Sequence, residues 1–287
     1  MNIKSLTLIG VGLIGSSLLL NIKKNWQQVH IYGVDANLEN LKQATNMGII
    51  DTALTKLNEE SANADIVIIA TPVGSILSIV NQLSLLLNNP NTIISDVGST
   101  KQNIIEVFRQ SLPKHFARCV AAHPIAGSEH SGASAGKIDL FHERKLIICP
   151  HDMQDMSALK IISNLWQHTG ANIHIMDAFD HDCIFAMVSH LPHLLSYTYM
   201  YQITQNNERH HLLNFAGSGF RDFTRIAGSN PDIWTDVCLN NSQQLCSKLQ
   251  EFIKYATDLE QLIANKDKES LHDFFTQAQI QRKEWKE

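Results

Sequence analysis

Leu6-Thr7-Leu8-Ile9-Gly10-Val11-Gly12-Leu13-Ile14-Gly15-Ser16-Ser17-Leu18-Leu19-Leu20 is the stretch on which the fold turns. A short apolar run feeds a glycine-rich turn, and the residues after it open like a helix. Each glycine has its own task there. Gly10 permits the tight bend, Gly12 lets the backbone approach a pyrophosphate, and Gly15 lets the helix pack closely on the strand. The unpaired N–H groups of the helix start, around Leu13 and Ile14, are offered to the phosphates. A second strand-like run, Val29-His30-Ile31-Tyr32-Gly33-Val34, ends at Asp35, placed to accept hydrogen bonds from ribose hydroxyls. Strand, turn, helix and acid agree on a dinucleotide site. A carboxylate at Asp35 repels a 2′-phosphate and Ala36-Asn37 brings no arginine to welcome one, so NAD is expected rather than NADP.

Outward from this motif the chain alternates strand-like and helix-like segments as far as about residue 175. Strands are expected at 5–9, 29–34, 65–70, 91–95, 119–122, 146–149 and 172–175, with helices between them at 38–47, 75–87, 101–111 and 156–169. The run Asp65-Ile66-Val67-Ile68-Ile69-Ala70 suits a parallel strand buried on both faces. Thr71-Pro72 turns the chain at that strand's carboxyl end, where ligands bind in such sheets. After Met176 strand signals vanish. Residues 178–205 read as one helix kinked at Pro192. Asn230-Pro231-Asp232 reads as a helix start, followed by apolar residues at 3–4 spacing from Trp234 to Ile263. A last helix is expected at 268–285. The predicted architecture is an α/β Rossmann-type dinucleotide-binding domain over 1–176 and an all-helical substrate and dimerisation domain over 177–287. The long apolar stripe needs a second copy to cover it, which predicts a homodimer through the helical half.

With 287 residues, 44% hydrophobic and 18% charged, the chain is long enough for two domains with ordinary cores. A net charge of −5 argues against a nucleic-acid surface. Five cysteines form no CxxC pair, which suits buried thiols in a reducing compartment. The apolar start is explained by the glycine turn rather than by a signal peptide, and no membrane span is expected, so a cytoplasmic location follows.

Four groups of residues could carry chemistry. His123 follows Cys119-Val120-Ala121-Ala122, at a strand end beside the cofactor cleft, where an imidazole can act as a general base or can simply satisfy a local turn. Ser99, with Gln102 three residues on, can face a ligand and can also form a capping box. His190 and His193, at i and i+3, share a helix face; no third ligand accompanies them, so they are read as lining a polar cleft and no metal is expected. Arg221 and Arg225 are four apart, so one face can present both guanidiniums to carboxylates, with a salt-bridged surface turn (Arg221 pairing with Asp222 or Asp232) as the plainer reading. The remaining single histidines, His30, His115, His142, His151, His168, His174 and His272, read as surface or filler residues.

Taken in order, the glycine turn, Asp96-Val97-Gly98-Ser99-Thr100-Lys101, His123-Pro124-Ile125-Ala126-Gly127-Ser128-Glu129, Ser189-His190-Leu191-Pro192-His193 and Gly219-Phe220-Arg221-Asp222-Phe223-Thr224-Arg225-Ile226-Ala227 resemble the prephenate dehydrogenase family from about residue 5 to 265. The resemblance implies NAD-dependent oxidative decarboxylation of prephenate to 4-hydroxyphenylpyruvate on the route to tyrosine. It implies that His123 takes the proton of the ring C4 hydroxyl as hydride leaves, that Ser99 orients this pair, and that Arg225 binds a substrate carboxylate. It further implies that His193, with His190 nearby, lines the substrate cleft and that Glu129 and Trp234 complete it. Arogenate is the competing substrate. A β-hydroxy-acid dehydrogenase would be expected to place a lysine in the helical half, and a mere NAD-sensing protein would not need His123, Ser99 and Arg225 together. Some relatives carry a fused mutase or a regulatory domain; with the chain ending at Glu287, neither is expected here.

Overall fold

The computed structural model describes residues 3–128 and 130–285. The chain divides after Ser242 into two compact units. The first is built on an eight-stranded sheet: β1 (Ser5–Ile9), β2 (His30–Val34), β3 (Thr52–Leu54), β4 (Ile66–Ile69), β5 (Ile93–Asp96), β6 (Cys119–Pro124), β7 (Lys145–Cys149) and β8 (Asn172–Ile175). The strand order is β3-β2-β1-β4-β5-β6-β7-β8. Strands β1 to β6 are parallel; β7 runs antiparallel to β6, and β8 parallel to β7. The first six strands thus follow the 3-2-1-4-5-6 order of doubly wound nucleotide-binding sheets, in which ligands sit at the carboxyl ends of the strands.

Period-two alternation divides the core between two helical layers. In β4, Ile66 and Ile68 join Leu6, Leu8, Leu18 and Ile22 on one face, while Val67 and Ile69 join Ile9, Val80, Leu83 and Phe108 on the other. Helices α1 (Leu13–Asn25), α2 (Leu38–Asn46) and α6 (Met156–Gln167) supply the first layer; α3 (Glu59–Ala62), α4 (Ile76–Leu86) and α5 (Gln102–Ser111) supply the second. Strand β3 was not expected. This edge strand has three residues, none of them buried, and so shows no periodicity.

From Ala178 the chain is helical. Helix α7 (Ala178–Phe185) passes through a π turn, Ala186–His190, into α8 (Leu191–Thr204), where the Leu191 N–H reaches back to the Ala186 carbonyl. The expected irregularity therefore falls in the turn before Pro192. Proline cannot donate to the carbonyl four residues back and its ring crowds that carbonyl, and the wider turn relieves both problems. Short helices α9 (Arg209–Asn214) and α10 (Ser218–Thr224), then a 3₁₀ turn at Arg225–Gly228, lead to α11 (Pro231–Asn240). Asn230 caps α11 as predicted, accepting the Asp232 N–H at 2.8 Å with Pro231 in the first turn.

The single helix expected from Pro231 to Ile263 is two helices. Asn241 leaves the helical conformation (φ −123°, ψ 30°), and its buried amide donates to the Asp182 carbonyl at 2.9 Å and to His190 Nδ1 at 3.2 Å. Satisfying those buried acceptors outweighs helix continuity, which local spacing alone cannot reveal. Beyond the break lie α12 (Ser242–Ala264) and α13 (Lys268–Glu284). Among the described residues no disulfide joins Cys119, Cys149 or Cys246. Cys119 and Cys149 are buried as expected, whereas Cys246 is exposed. Among the described residues no helix is long and apolar enough to cross a membrane.

Candidate active site

The glycine turn behaves as its spacing predicts. Gly10 has φ +92°, and a Cβ there would lie 2.6 Å from the Ala70 carbonyl oxygen. A Cβ on Gly15 would lie 2.5 Å from the Gly10 oxygen, so only glycine lets α1 sit this close to the strand ends. Gly12, by contrast, faces open space. Its backbone borders a cleft of about 790 Å³, whose walls also include Gly10, Asp35, Asn40, Lys56, Thr71 and Pro72. Leu13 and Ile14 open α1 beside it, with no side-chain cap on their backbone N–H groups. The Asp35 carboxylate is half-buried and already ordered: Oδ2 accepts the Val11 N–H at 2.8 Å and Oδ1 the Asn37 N–H at 2.7 Å. Lone pairs remain for a ribose diol. An open backbone cradle, a free helix start and an acid at the end of β2 fit a dinucleotide.

Further along the same edge of the sheet, Asp96 ends β5 and His123 lies near the end of β6. Asp96 and Lys101 form an ion pair with no solvent exposure. Asp96 Oδ2 accepts the Gly98 N–H at 2.7 Å and Oδ1 the Ala122 N–H at 3.2 Å, while Lys101 Nζ donates to the Ala122 carbonyl at 2.8 Å. The pair grips the Ala122 backbone from both sides, immediately before His123. Burial pushes the Asp96 carboxyl up, and Lys101 pulls against that shift.

His123 is buried, and its Nδ1 lies 2.9 Å from His181 Nε2. His181 Nδ1 in turn lies 2.8 Å from Asp182 Oδ1. Phe185 packs against both rings, at 5.0 and 4.5 Å between centroids. Burial, with His181, Lys101 and His190 nearby, holds His123 well below the ordinary histidine value, and burial lowers His181 too. Both shifts favour the neutral ring. Asp182 also accepts the Lys101 N–H at 2.8 Å on Oδ1 and the Gln102 N–H at 2.9 Å on Oδ2, capping α5 from another element. The capping box expected from Ser99 and Gln102 does not form. Lys101 is the N-cap residue, and Asp182 satisfies the amides that Ser99 was expected to serve. Ser99 itself is half-buried in the loop after β5, and its hydroxyl has no hydrogen-bond partner among the described residues.

On the helical side, His193 stacks on Trp234 with centroids 3.6 Å apart, and its Nδ1 donates to the Ser189 carbonyl at 2.9 Å. His190 is buried with its edge toward Trp234. Asn241 donates to His190 Nδ1, so Nε2 carries the proton, and that N–H has no partner among the described residues. Burial drives the His190 pKa down to about 4. Arg225 is exposed, and its charge, after burial, helps to hold His193 down. The turn carrying Arg225 is tied to α8 by Ser196 Oγ donating to the Phe223 carbonyl at 2.9 Å and Tyr197 Oη to the Ser229 carbonyl at 2.5 Å. Arg221 stands apart: its side chain is 78% exposed and pairs at 3.6 Å with Asp222, the plainer of its two readings. Glu129 lies outside the described residues.

Two elements cross between the cofactor loops and the helical segment. Asp236 of α11 accepts the Gly74 N–H at 3.0 Å, in the 3₁₀ turn after Thr71-Pro72, and Asn103 of α5 donates to Asn240 Oδ1 at 2.8 Å. Neither these links nor His181 and Asp182 figure in the sequence analysis. One signal was present. His181 and Asp182 are polar residues on the α7 stripe that also buries Phe185, and buried polar residues need partners.

Residues 18–175 match the family model described as prephenate dehydrogenase, nucleotide-binding domain, and residues 177–277 the one described as prephenate dehydrogenase, dimerization domain. The chain is 34% identical to a prephenate dehydrogenase of Bacillus subtilis over 97% of its own length and 75% of the relative's. It is 30% identical to a cyclohexadienyl dehydrogenase of Zymomonas mobilis, over 97% and 95%. The crystal structure of prephenate dehydrogenase from A. aeolicus in complex with hydroxyphenyl propionate and NAD+ superposes with a TM-score of 0.92 at 30% identity, covering 99% of both chains.

Proposed function

Since this chain belongs to the prephenate dehydrogenase family, we propose that it converts prephenate to 4-hydroxyphenylpyruvate and CO2 with reduction of NAD. The observation that carries this reading is His123. It lies on the ligand-binding edge of the sheet with Nδ1 engaged by His181, which leaves Nε2 for substrate. NAD, when bound, supplies the hydride acceptor. Gly10, Gly12 and the α1 start around Leu13, Ile14 and Gly15 would hold its pyrophosphate, Asp35 its ribose, and Thr71, Pro72 and Ser99 would border it along the edge.

His123 Nε2 takes the proton of the ring C4 hydroxyl. As that proton leaves, the oxygen's electron pair becomes available to form the carbonyl, and loss of CO2 restores aromaticity. A base that is neutral at pH 7 is ready for this step. Ser99 orients the hydroxyl. Prephenate is a dianion, and Arg225 anchors one of its carboxylates by a bidentate contact. His193 and Trp234, stacked together, wall the substrate, and the buried His190 N–H offers one further donor. Arg221 is left with a peripheral role. Positioning and electrostatics supply most of the rate.

Arogenate, in which an amine replaces the side-chain ketone, is the second reading, and the Zymomonas relative's name keeps it in view. The functional division is drawn at 176/177, with the nucleotide half before it and the substrate and dimerisation half after it. A homodimer through the helical half is supported by the family description of residues 177–277 and by Ile253, Tyr255, Ile263 and Phe275, all more than half exposed. The buried, unbridged thiols of Cys119 and Cys149 support a cytoplasmic setting. Purified protein with NAD and either substrate should raise the absorbance of reduced cofactor; silence with both removes the proposal. A monomeric mass in sedimentation equilibrium at micromolar protein removes the dimer.

A further inference from the structure

We infer that His181 and Asp182 set the tautomer of His123, so that its lone pair stands at Nε2 before substrate arrives. The Asp182 carboxylate cannot turn, because two α5 amides, those of Lys101 and Gln102, and the His181 ring divide its oxygens among them. A carboxylate only accepts, so neutral His181 places its one proton on Nδ1, 2.8 Å from Asp182 Oδ1. His181 Nε2 is then an acceptor, 2.9 Å from His123 Nδ1. Of the two ring nitrogens, His123 therefore protonates Nδ1 and leaves Nε2 bare.

Each ring is held in plane as well as in protonation state. Phe185 packs on both imidazoles, and the Asp96–Lys101 pair holds the backbone on the N-terminal side of His123. Asp182 is itself braced, since the Asn241 amide donates to its carbonyl. With the other tautomer, Nε2 would carry a hydrogen and could not accept one. His181 and Asp182 touch neither substrate nor cofactor in this account; they are positioning residues.

This inference rests on the proposed reaction for its kinetic consequence but not for its test. Protein labelled with 15N-histidine, without ligands at pH 7.5, should show His123 protonated at Nδ1 and bare at Nε2 in long-range 1H–15N spectra, assigned with His123→Asn. An Nε2-protonated His123 in the native protein overturns the inference, whatever the activity. Three variants extend the test. His181→Leu removes the acceptor and should release His123 to the other tautomer, lowering kcat by at least about 100-fold, the usual share of a general base, with KM changed less than about threefold. His181→Gln keeps an acceptor toward His123 and a donor toward Asp182, and should recover kcat to within about tenfold. Asp182→Asn keeps a capping oxygen for α5 while freeing the His181 proton, and should lower kcat more than it lowers Tm. A packing role alone would predict equal losses in the Leu and Gln variants and an unchanged His123 tautomer in both, and that result also refutes the inference. If the native protein oxidises neither prephenate nor arogenate, the proposed reaction falls while the nitrogen spectra still decide the tautomer.

Discussion

Replacing Lys101 with Met should be among the most damaging single changes in the first unit, and its cost can be worked from the geometry. Lys101 and Asp96 are both wholly buried. Methionine fills much of the lysine stem's volume, so packing is largely kept and the loss is electrostatic. Asp96 would retain only the Gly98 and Ala122 N–H groups, and the Ala122 carbonyl would lose the ammonium now 2.8 Å away. Breaking one partner of a buried pair costs about 3–5 kcal/mol. With a urea slope near 2 kcal/mol per molar, the midpoint should fall by about 2 M. The double variant Asp96→Asn/Lys101→Met, which leaves no buried charge, should be more stable than Lys101→Met alone. The pH dependence is a separate check. Burial already raises the Asp96 carboxyl, and without Lys101 nothing charged opposes it. A folded value above the unfolded one means that the native state binds the proton more tightly. The deficit of Lys101→Met should then shrink as pH falls from 8 to 5. A loss under about 1 kcal/mol, or a deficit that ignores pH, would refute this account of the pair.

Further outcomes are expected elsewhere. Burial holds His190 at about 4, below the value near 6.5 of an unfolded chain, so unfolded protein takes up the proton first and stability is complete only above about pH 6.5. This one group should remove about 2 kcal/mol between pH 7 and 5, and urea titrations of His190→Gln should show a shallower acid slope by that amount. Gly74→Ala places a Cβ 2.6 Å from Asp236 Oδ1, so it should cost about 1–3 kcal/mol by thermal melting, and Asp236→Ala in the same chain should relieve most of it. In steady-state assays His123→Asn should collapse kcat with KM little changed, whereas Arg225→Gln should raise KM strongly; exchanged phenotypes would reverse the two roles.

The ligand-binding edge was legible because its chemistry is local. Gly10, Gly12 and Gly15 act within one turn, Asp35 closes the next strand, and His123 follows its own apolar run. What escaped were the partners that come from far along the chain. Asp182 caps a helix 80 residues before it, and nothing near Ser99 and Gln102 announces that their capping box is displaced. Asn241 interrupts a helix whose apolar spacing continues on both sides, because the reason for the break is a buried carbonyl of α7 and a histidine ring. Periodicity reports which face is covered; it carries no record of which polar group on that face is answered, or by what.

The π turn at Ala186–His190 has one more consequence. It puts an extra residue into the helical path between the face bearing His181 and the face bearing His193. The upstream half can then be phased to His123 and the downstream half to Trp234, two bearings that one regular helix would lock together. Deleting a single residue there would keep the segment helical while rotating His193 out of step with its ring partner. The enzyme's aim thus depends on the count of residues between two histidines as much as on their identity.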